Sequence, residues 1–469
     1  MENGLQSEIV VCKVGGSCLT SADALQQLLR ILDEFKGSRI IFVASAFSGV
    51  TDKLLDLVRI AGEKQDYKED MKSLSQLHEE ISNQLFSDLI IHLESAIDFI
   101  RTCFHSIDDM LEQITELGME NFRQDFVISF GEKLSTFILA EFLSSKGLDG
   151  QYMPADQLIV TDDRFGNALP LMDFTSRKVK RQLIQVLLRG AIPCITGFIG
   201  FNKQGYTTTL GRGGSDFTAS IIAACLPDAF PDTPLRVILW KNVDGILSAS
   251  PEYISEPKLL EHISYAEAKE LAYFGAKVLH PKCVTPLEQF KIPLEIRNFD
   301  KPLESAFTLV DECGNPDQLV KGVSLIKDVA MITAKSSSLV AIPGVLAKLF
   351  SVLGEGAINV NLVSQSSSEV NTTFCVTRSD GPKALGLLKN SAMFKDWFEF
   401  TYNDSVVVLG VIGDVDNLGV KKRLFEKLEE RGITVAAIAQ SADGLNISLV
   451  IDEGIAQEAI RMAHEAFQF

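Results

Sequence analysis

Two stretches of this sequence combine residue types that handle negative charge. Lys13-Val14-Gly15-Gly16-Ser17 sets a lysine just ahead of a glycine pair. Thr209-Leu210-Gly211-Arg212-Gly213-Gly214-Ser215-Asp216 brackets one arginine with glycines and follows it with a serine and an aspartate. Glycine-rich backbone running into a helix start turns N–H groups and a positive dipole end toward an anion. Arg212 adds a planar fork for a carboxylate or phosphate. A lysine such as Lys13 can neutralise charge on a transferring phosphoryl group while the glycines let backbone approach it. The order matches neither a Walker A loop nor G-x-G-x-x-G. The plain alternative is a tight loop with a surface arginine. Ser215 or Asp216 is expected as the N-cap of the following helix. Glu132 and Asp216 are acceptors for an ammonium group, and with Arg212 they suit a zwitterionic amino acid. Taken alone, Glu132 reads first as a helix N-terminal acid favoured by the dipole, ahead of a binding role. Lys277 reads as a helix-end lysine and His280 as a structural histidine.

The elements that must position these groups alternate between strand and helix. Ile9-Val10-Val11-Cys12 is an apolar run expected to be a buried strand. A helix follows from about Ser21, with Leu25, Leu28, Leu29, Leu32 and Phe35 on one face. Ile40 to Ala44 is a second strand, closing on a turn at Ser45. Residues from about 52 to 122 read as helical. Phe126-Val127-Ile128 is expected as a strand entering a glycine turn at Ser129, and Ile192 to Ile195 and Val237 to Trp240 as further strands. In sheets of this kind ligands collect at the carboxyl ends of the strands. A domain boundary is expected between Gly314 and Asp317.

The C-terminal part repeats itself. Gly344-Val345, Leu349-Phe350, Ile358-Asn359-Val360, Gln365 and Asn371 match Gly419-Val420, Leu424-Phe425, Ile433-Thr434-Val435, Gln440 and Asn446, each pair 75 positions apart (419 − 344, 440 − 365). Each copy is expected as strand, helix, strand, polar turn, strand, a small α/β unit suited to pairing and to holding a ligand.

Composition narrows the function classes. The chain has 469 residues, too many for one ordinary core. Its net charge of −18 is spread along the chain, which argues against nucleic acid or an anionic membrane surface as partner. Eight cysteines lack any C-x-x-C pair and read as reduced thiols of a cytoplasmic protein. Six histidines form no zinc motif, so no protein-ligated metal is expected. The N-terminus has no basic-then-apolar leader, and no apolar run reaches membrane-spanning length.

Together the motifs resemble the aspartokinase branch of the amino acid kinase family. The resemblance rests on Lys13 to Ser17, Ser129 to Glu132, Thr209 to Asp216, Trp240 to Gly245 and Phe274-Gly275-Ala276-Lys277-Val278-Leu279-His280-Pro281. The duplicated C-terminal unit is similar to that family's tandem ACT domains. This resemblance implies an α/β three-layer αβα kinase fold with a mainly parallel sheet over residues 1–315, then two α+β ACT domains at 325–400 and 401–469. It implies MgATP-dependent phosphorylation of L-aspartate, the entry step to lysine, threonine, methionine and diaminopimelate. It implies Lys13 and Asp216 as catalytic, and Thr51, Glu132, Phe198, Arg212, Ser215 and Asp216 around aspartate. Lys13, Gly15, Gly16, Ser17, Ser45, Lys241, Asn242, Gly245 and Lys277 would line the ATP, whose oxygens and water would carry the magnesium. Gln365, Ser366, Asn371 and Gln440 would form the effector sites, with threonine favoured over lysine. A homodimer or homotetramer through the ACT domains is implied as well.

The sequence departs from the family at Val14, Ser17 and Cys18, and at Asn242, Ser250 and Glu252, where two acids and an arginine are replaced. These last changes place nucleotide affinity in question. They leave open a second reading, an amino-acid sensor with weak catalysis. A third reading is a carboxylate kinase for glutamate or N-acetylglutamate, but two acids would then face no ammonium group on an acetylated substrate.

Overall fold

The computed structural model describes residues 8–19, 21–274, 278–301, 303–335, 344–366, 371–392, 394 and 398–467. It divides into two compact units. The first comprises residues 1–246, 261–265 and 278–314, and the second residues 247–260, 266–277 and 315–469.

In the first unit, eight strands form a sheet: β1 (Ile9–Val14), β2 (Arg39–Ala44), β3 (Gly150–Met153), β5 (Ile192–Thr196), β8 (Leu235–Lys241), β9 (His262–Ser264), β10 (Leu294–Asn298) and β11 (Thr308–Asp311). Their order is β3-β5-β2-β1-β8-β10-β11-β9. All neighbours are parallel except β10 and β11. A small sheet of β4 (Val160–Thr161), β6 (Ile199–Asn202) and β7 (Thr207–Thr209) lies in order β4-β6-β7. One face of the large sheet packs on α1 (Ala22–Glu34), α2 (Val50–Gly62), α3 (Lys68–Phe86), α4 (Ile90–Leu117) and α5 (Asn121–Ser145). On this unit α6 (Met172–Leu188), α7 (Gly214–Ala224) and α9 (Pro281–Gln289) complete the helices, with α7 packed on β1, β2 and β8.

Strand periodicity decides where the first lysine goes. Val10, Cys12 and Val14 enter the core made with α1–α5. Successive strand residues alternate faces, so Lys13 points the other way, toward α7. Trp240 of β8 sits in the same core as Val14, with which it is in register, and Lys241 therefore shares the face of Lys13.

The expected strand at Phe126 to Ile128 and turn at Ser129 are not found. The whole of Asn121–Ser145 is one helix, α5. It is buried nearly all round, so its short apolar run could not be told from a buried strand by periodicity. Gly131 is a packing glycine within it: a β-carbon there would stand 2.9 Å from that of Ala46.

In the second unit, α8 (Tyr265–Tyr273, from Ala266 on) precedes the two repeats. The repeats hold β12 (Val320–Lys335), α10 (Val345–Glu355), β13 (Val360–Gln365), β14 (Asn371–Thr377) and α11 (Gly381–Asn390), then β15 (Glu399–Gly413), α12 (Leu418–Glu430), β16 (Val435–Gln440), β17 (Asn446–Asp452) and α13 (Ala456–Phe467). The sheet order is β13-β14-β12-β15-β17-β16, and the 75-residue offset holds for β13 and β16 and for β14 and β17. β12 and β15 each serve both repeats. Val329–Lys335 of β12 pairs with β14, while Val406–Ile412 of β15 pairs with β17, and β12 and β15 pair with each other throughout. Two cores result, one per repeat.

The segment 247–260 belongs to this second unit. Ala249 and Tyr253 sit in the core of the second repeat. Glu252 makes a 2.8 Å ion pair with Lys327, and its backbone N–H donates to Ser250 Oγ. Ser250 and Glu252, read from sequence as losses at the nucleotide site, thus have structural partners in the second unit.

Candidate functional site

The carboxyl ends of β1, β2, β5 and β8 carry the groups singled out from the sequence. β1 ends in a 3₁₀ turn at Gly16–Cys18. A β-carbon at Gly15 would stand 3.3 Å from Lys13 Nζ, and one at Gly16 2.9 Å from the carbonyl oxygen of Ala46. Close approach to backbone therefore requires glycine at position 16, while at position 15 a side chain would press on the end of Lys13. Ser17 is exposed, while Ser45, in the turn after β2, is half-buried and its carbonyl accepts from Ser135 Oγ at 2.7 Å.

α7 begins at Gly213, not at Ser215 or Asp216. Gly213 is the N-cap with φ 73°, a left-handed conformation, and a β-carbon there would stand 2.5 Å from that of His280. Only glycine meets both demands. Ser215 and Asp216 consequently lie inside the first turn, where an acid is favoured by the dipole. Gly197 lets Ser215 approach, since a β-carbon at Gly197 would lie 2.6 Å from that of Ser215. Phe198 takes φ 69°, an uncommon conformation for a bulky residue, and its N–H donates to Thr218 Oγ1 at 3.0 Å. Strain of this kind gathers at functional sites.

Asp216 is the centre of the charge arrangement. Lys13 Nζ lies 2.6 Å from Oδ1, an ion contact without hydrogen-bond alignment, and Lys241 Nζ donates to Oδ2 at 2.7 Å. Lys13 and Asp216 are both buried. Burial works to raise the Asp216 pKa, but the two lysines outweigh it and hold the carboxyl below its usual range. Burial lowers the pKa of Lys13, partly offset by Asp216. Both Asp216 oxygens meet lysine ammonium groups, and the carboxylate aligns the two side chains. The sequence did not reveal this pairing, because it depends on β1 and β8 being neighbours in the sheet.

Glu132 is buried on α5, and burial pushes its carboxyl up to about 8. Its Oε2 has no hydrogen-bond partner. A cation arriving there would be met by an acceptor already desolvated. The raised pKa has a stability consequence. Between the unfolded value near 4.5 and about 8, the unfolded chain gives up a proton that the folded protein keeps, so stability falls as pH rises through this window. Glu132→Gln is expected to match the wild type in stability at pH 4.5 and to exceed it at pH 8 by on the order of a few kcal/mol, with a correspondingly higher melting temperature. Thermal unfolding at both pH values checks this, and parallel melting curves would contradict it.

The remaining predicted residues divide. Arg212 is exposed between Gly211 and Gly213. Thr51 lies in the first turn of α2, just after the Ser45 to Gly49 loop. Gly245 is buried, Asn242 exposed, and between them Asp244 accepts from Asn298 at 2.8 Å and Lys301 at 2.7 Å. Lys277 lies outside the described residues. His280 caps α9 by accepting from the backbone N–H of Lys282, the structural role expected of it. In the second unit, Gln365 and Asn371 are exposed where β13 ends and β14 begins, and Ser366 donates through its backbone to Asn371. Gln440 differs from Gln365: its Nε2 donates to Asp416 at 2.7 Å. Asn446, the counterpart of Asn371, donates to Glu270 of α8.

Among the described residues no group of three His, Cys, Asp or Glu is placed to hold a metal ion, and no helix is long and apolar enough to cross a membrane. The arrangement offers two aligned lysines and close-set glycine backbone for phosphate, with an arginine fork and a buried acid for a charged small molecule.

Comparison with known proteins separates the same two parts, except that residues 247–260 and 266–277, which pack with the second unit, fall within the first family match. The amino acid kinase family model matches residues 8–298, and an ACT domain model matches residues 332–391 and 409–467. The chain is 30% identical to bifunctional aspartokinase/homoserine dehydrogenase 1, chloroplastic, of Arabidopsis thaliana, over 97% of this chain and 51% of that protein. It therefore spans about half the length of such bifunctional relatives. Aspartokinase 1, chloroplastic, of the same plant is 28% identical over 97% of this chain and 80% of its own length. Escherichia coli aspartokinase III in complex with aspartate and ADP superposes with a TM-score of 0.82 at 27% identity, covering 98% of this chain and 100% of that one. The same enzyme in complex with lysine and aspartate gives 0.77 at 28% identity, with the same coverage.

Proposed function

The chain belongs to the amino acid kinase family, and from that premise we propose that it is an aspartate kinase. It transfers the terminal phosphoryl group of MgATP to the β-carboxylate of L-aspartate. One carboxylate oxygen attacks the γ-phosphorus, the bond from that phosphorus to the β–γ bridging oxygen breaks, and ADP leaves with its electron pair. No general base is needed, because the carboxylate is ionised at neutral pH. The observation that carries the reading is the buried Asp216 carboxylate between Lys13 and Lys241. The superposition over nearly the full chain with an aspartokinase that binds aspartate and ADP supports it.

In this reading Lys13 and Lys241 neutralise charge that builds on the transferring group, and Asp216 keeps them aligned. Gly15, Gly16, Ser17 and Ser45 surround the phosphates. Asn242 and Gly245 lie toward the nucleotide, a role that the resemblance alone extends to Lys277, and magnesium arrives as part of the MgATP substrate. Arg212 takes a carboxylate of aspartate, Glu132 receives its ammonium group, and Thr51, Phe198 and Ser215 complete the pocket. ADP release measured with aspartate, glutamate and N-acetylglutamate tests this. Turnover with aspartate alone supports it; amino-acid binding without turnover would favour the sensor.

Glu252→Ala is expected to leave the KM for ATP within about twofold and to cost less than about 1 kcal/mol of stability, since exposed ion pairs contribute little. A large rise in that KM would restore Glu252 to the nucleotide site.

The product would enter the lysine, threonine, methionine and diaminopimelate routes. We assign feedback control to threonine at the first repeat, on the Gln365-Ser366-Ser367-Ser368-Glu369 pattern. There Gln365 and Asn371 are exposed, whereas Gln440 and Asn446 are engaged with acids. Lysine is the second reading, favoured by the lysine complex of the E. coli enzyme. Initial rates with each amino acid decide between them, and inhibition by lysine alone removes threonine. Exposed Val363 and Ile438, at equivalent places on the two edge strands, support a homodimer or homotetramer through the ACT domains. Free cysteines, seven of them buried, support a cytoplasmic location; the Arabidopsis relatives are named chloroplastic.

A further inference from the structure

Asp125 is wholly buried on α5, seven residues and so about two helical turns ahead of Glu132, on the same helix face. Its Oδ2 accepts from the backbone N–H groups of Gly166 and Thr209, both at 2.8 Å, and its Oδ1 accepts from Thr209 Oγ1 at 3.0 Å. Thr209 is the last residue of β7, three positions before Arg212. The loop that contains Gly166 is tied to the same point, since the Ala168 N–H donates to the Thr209 carbonyl at 2.8 Å. Gly211 comes so near this loop that a β-carbon on it would stand 2.7 Å from Asn167 Oδ1. One carboxylate thus joins three pieces of chain: the helix bearing Glu132, the loop at Gly166, and the strand end leading to Arg212. Burying a carboxylate is costly unless hydrogen bonds compensate it, and here three donors converge on its two oxygens.

We propose that Asp125 is a positioning residue for aspartate: by anchoring Thr209 and Gly166 to α5, it sets the spacing between the Arg212 fork and the Glu132 carboxyl. The assignment rests on the reading that aspartate lies between those two groups. The phosphate-handling lysines hang on β1 and β8, so loss of the anchor disturbs the amino-acid end of the site and spares the nucleotide end.

Steady-state kinetics with aspartate and ATP varied in turn test this in Asp125→Ala, Asp125→Asn, Thr209→Val and Thr209→Ser. Asp125→Ala is expected to raise the KM for aspartate by about tenfold or more, with the KM for ATP within about twofold. Asp125→Asn keeps an oxygen for the two backbone N–H groups and falls between. Thr209→Val raises the aspartate KM by about three- to tenfold, and Thr209→Ser, which retains the hydroxyl, restores it. A loss of kcat or active fraction with both KM values unchanged, or a parallel rise in both, overturns the proposal in favour of a general structural role. If Asp125→Ala does not fold, the Thr209 pair decides by the same criteria. If the wild type shows no turnover with aspartate, the functional reading fails separately. Hydrogen exchange at the Gly166 and Thr209 amides then decides the anchor itself: faster exchange in Thr209→Val and Asp125→Asn upholds it, and unchanged exchange removes it.

Discussion

Lys13→Ala is expected to lower aspartate-dependent ADP release by on the order of 10³-fold, with little change in the KM for aspartate. The lysine is buried, its ammonium group lies 2.6 Å from Asp216, and the glycine pair follows directly. Its removal takes a fixed positive charge from a desolvated site where such a charge is worth far more than in water. Lys241 remains paired with Asp216 but is less buried and belongs to the next strand. The expected signature is a fall in kcat, because the interaction matters most as charge shifts to the leaving ADP. A coupled assay over a range of aspartate concentrations checks it. Activity within tenfold of the wild type would transfer the phosphoryl role to Lys241.

Arg212→Ala is expected to act on the other axis. The side chain is exposed, so the fold should tolerate its loss. A charge-assisted, two-pronged contact with a carboxylate contributes about 1.5–3 kcal/mol, which corresponds to a rise in the aspartate KM of roughly 10- to 100-fold, with ATP binding unchanged. Arg212→Lys should recover little of this, since an ammonium group cannot reproduce the fork. Equal loss of aspartate and ATP affinity would mean that Arg212 meets phosphate, the other anion its geometry can take.

Local patterns carried much of the fold. The runs at Ile9, Ile40, Ile192 and Val237 are strands, because buried parallel strands are apolar without interruption. The 75-residue duplication is reproduced in β13 and β16 and in β14 and β17, since each copy builds the same unit. The glycine stretch ahead of α7 leads into a helix as expected, although the capping residue proved to be Gly213. The strand that is not found has a local cause. Phe126-Val127-Ile128 reads as a strand because its apolar residues are contiguous, and a helix buried on every side looks the same. Recognising α5 as a single helix would have placed Asp125 and Glu132 on one face and exposed the anchor.

By itself the sequence determined the alternating strands and helices, the position of Lys13 beside its glycines, the arginine loop and the repeated C-terminal unit. All of these follow from spacing along the chain, which local geometry translates directly. Only the tertiary structure decided that Asp216 lies between Lys13 and Lys241, that Asp125 ties three segments together, and that Ser250 and Glu252 belong with the second unit. Those outcomes depend on which strand lies beside which and on which face of α7 meets the sheet. A charge far away in sequence becomes a partner only when packing brings it within a few ångströms, and no periodicity along the chain records that distance.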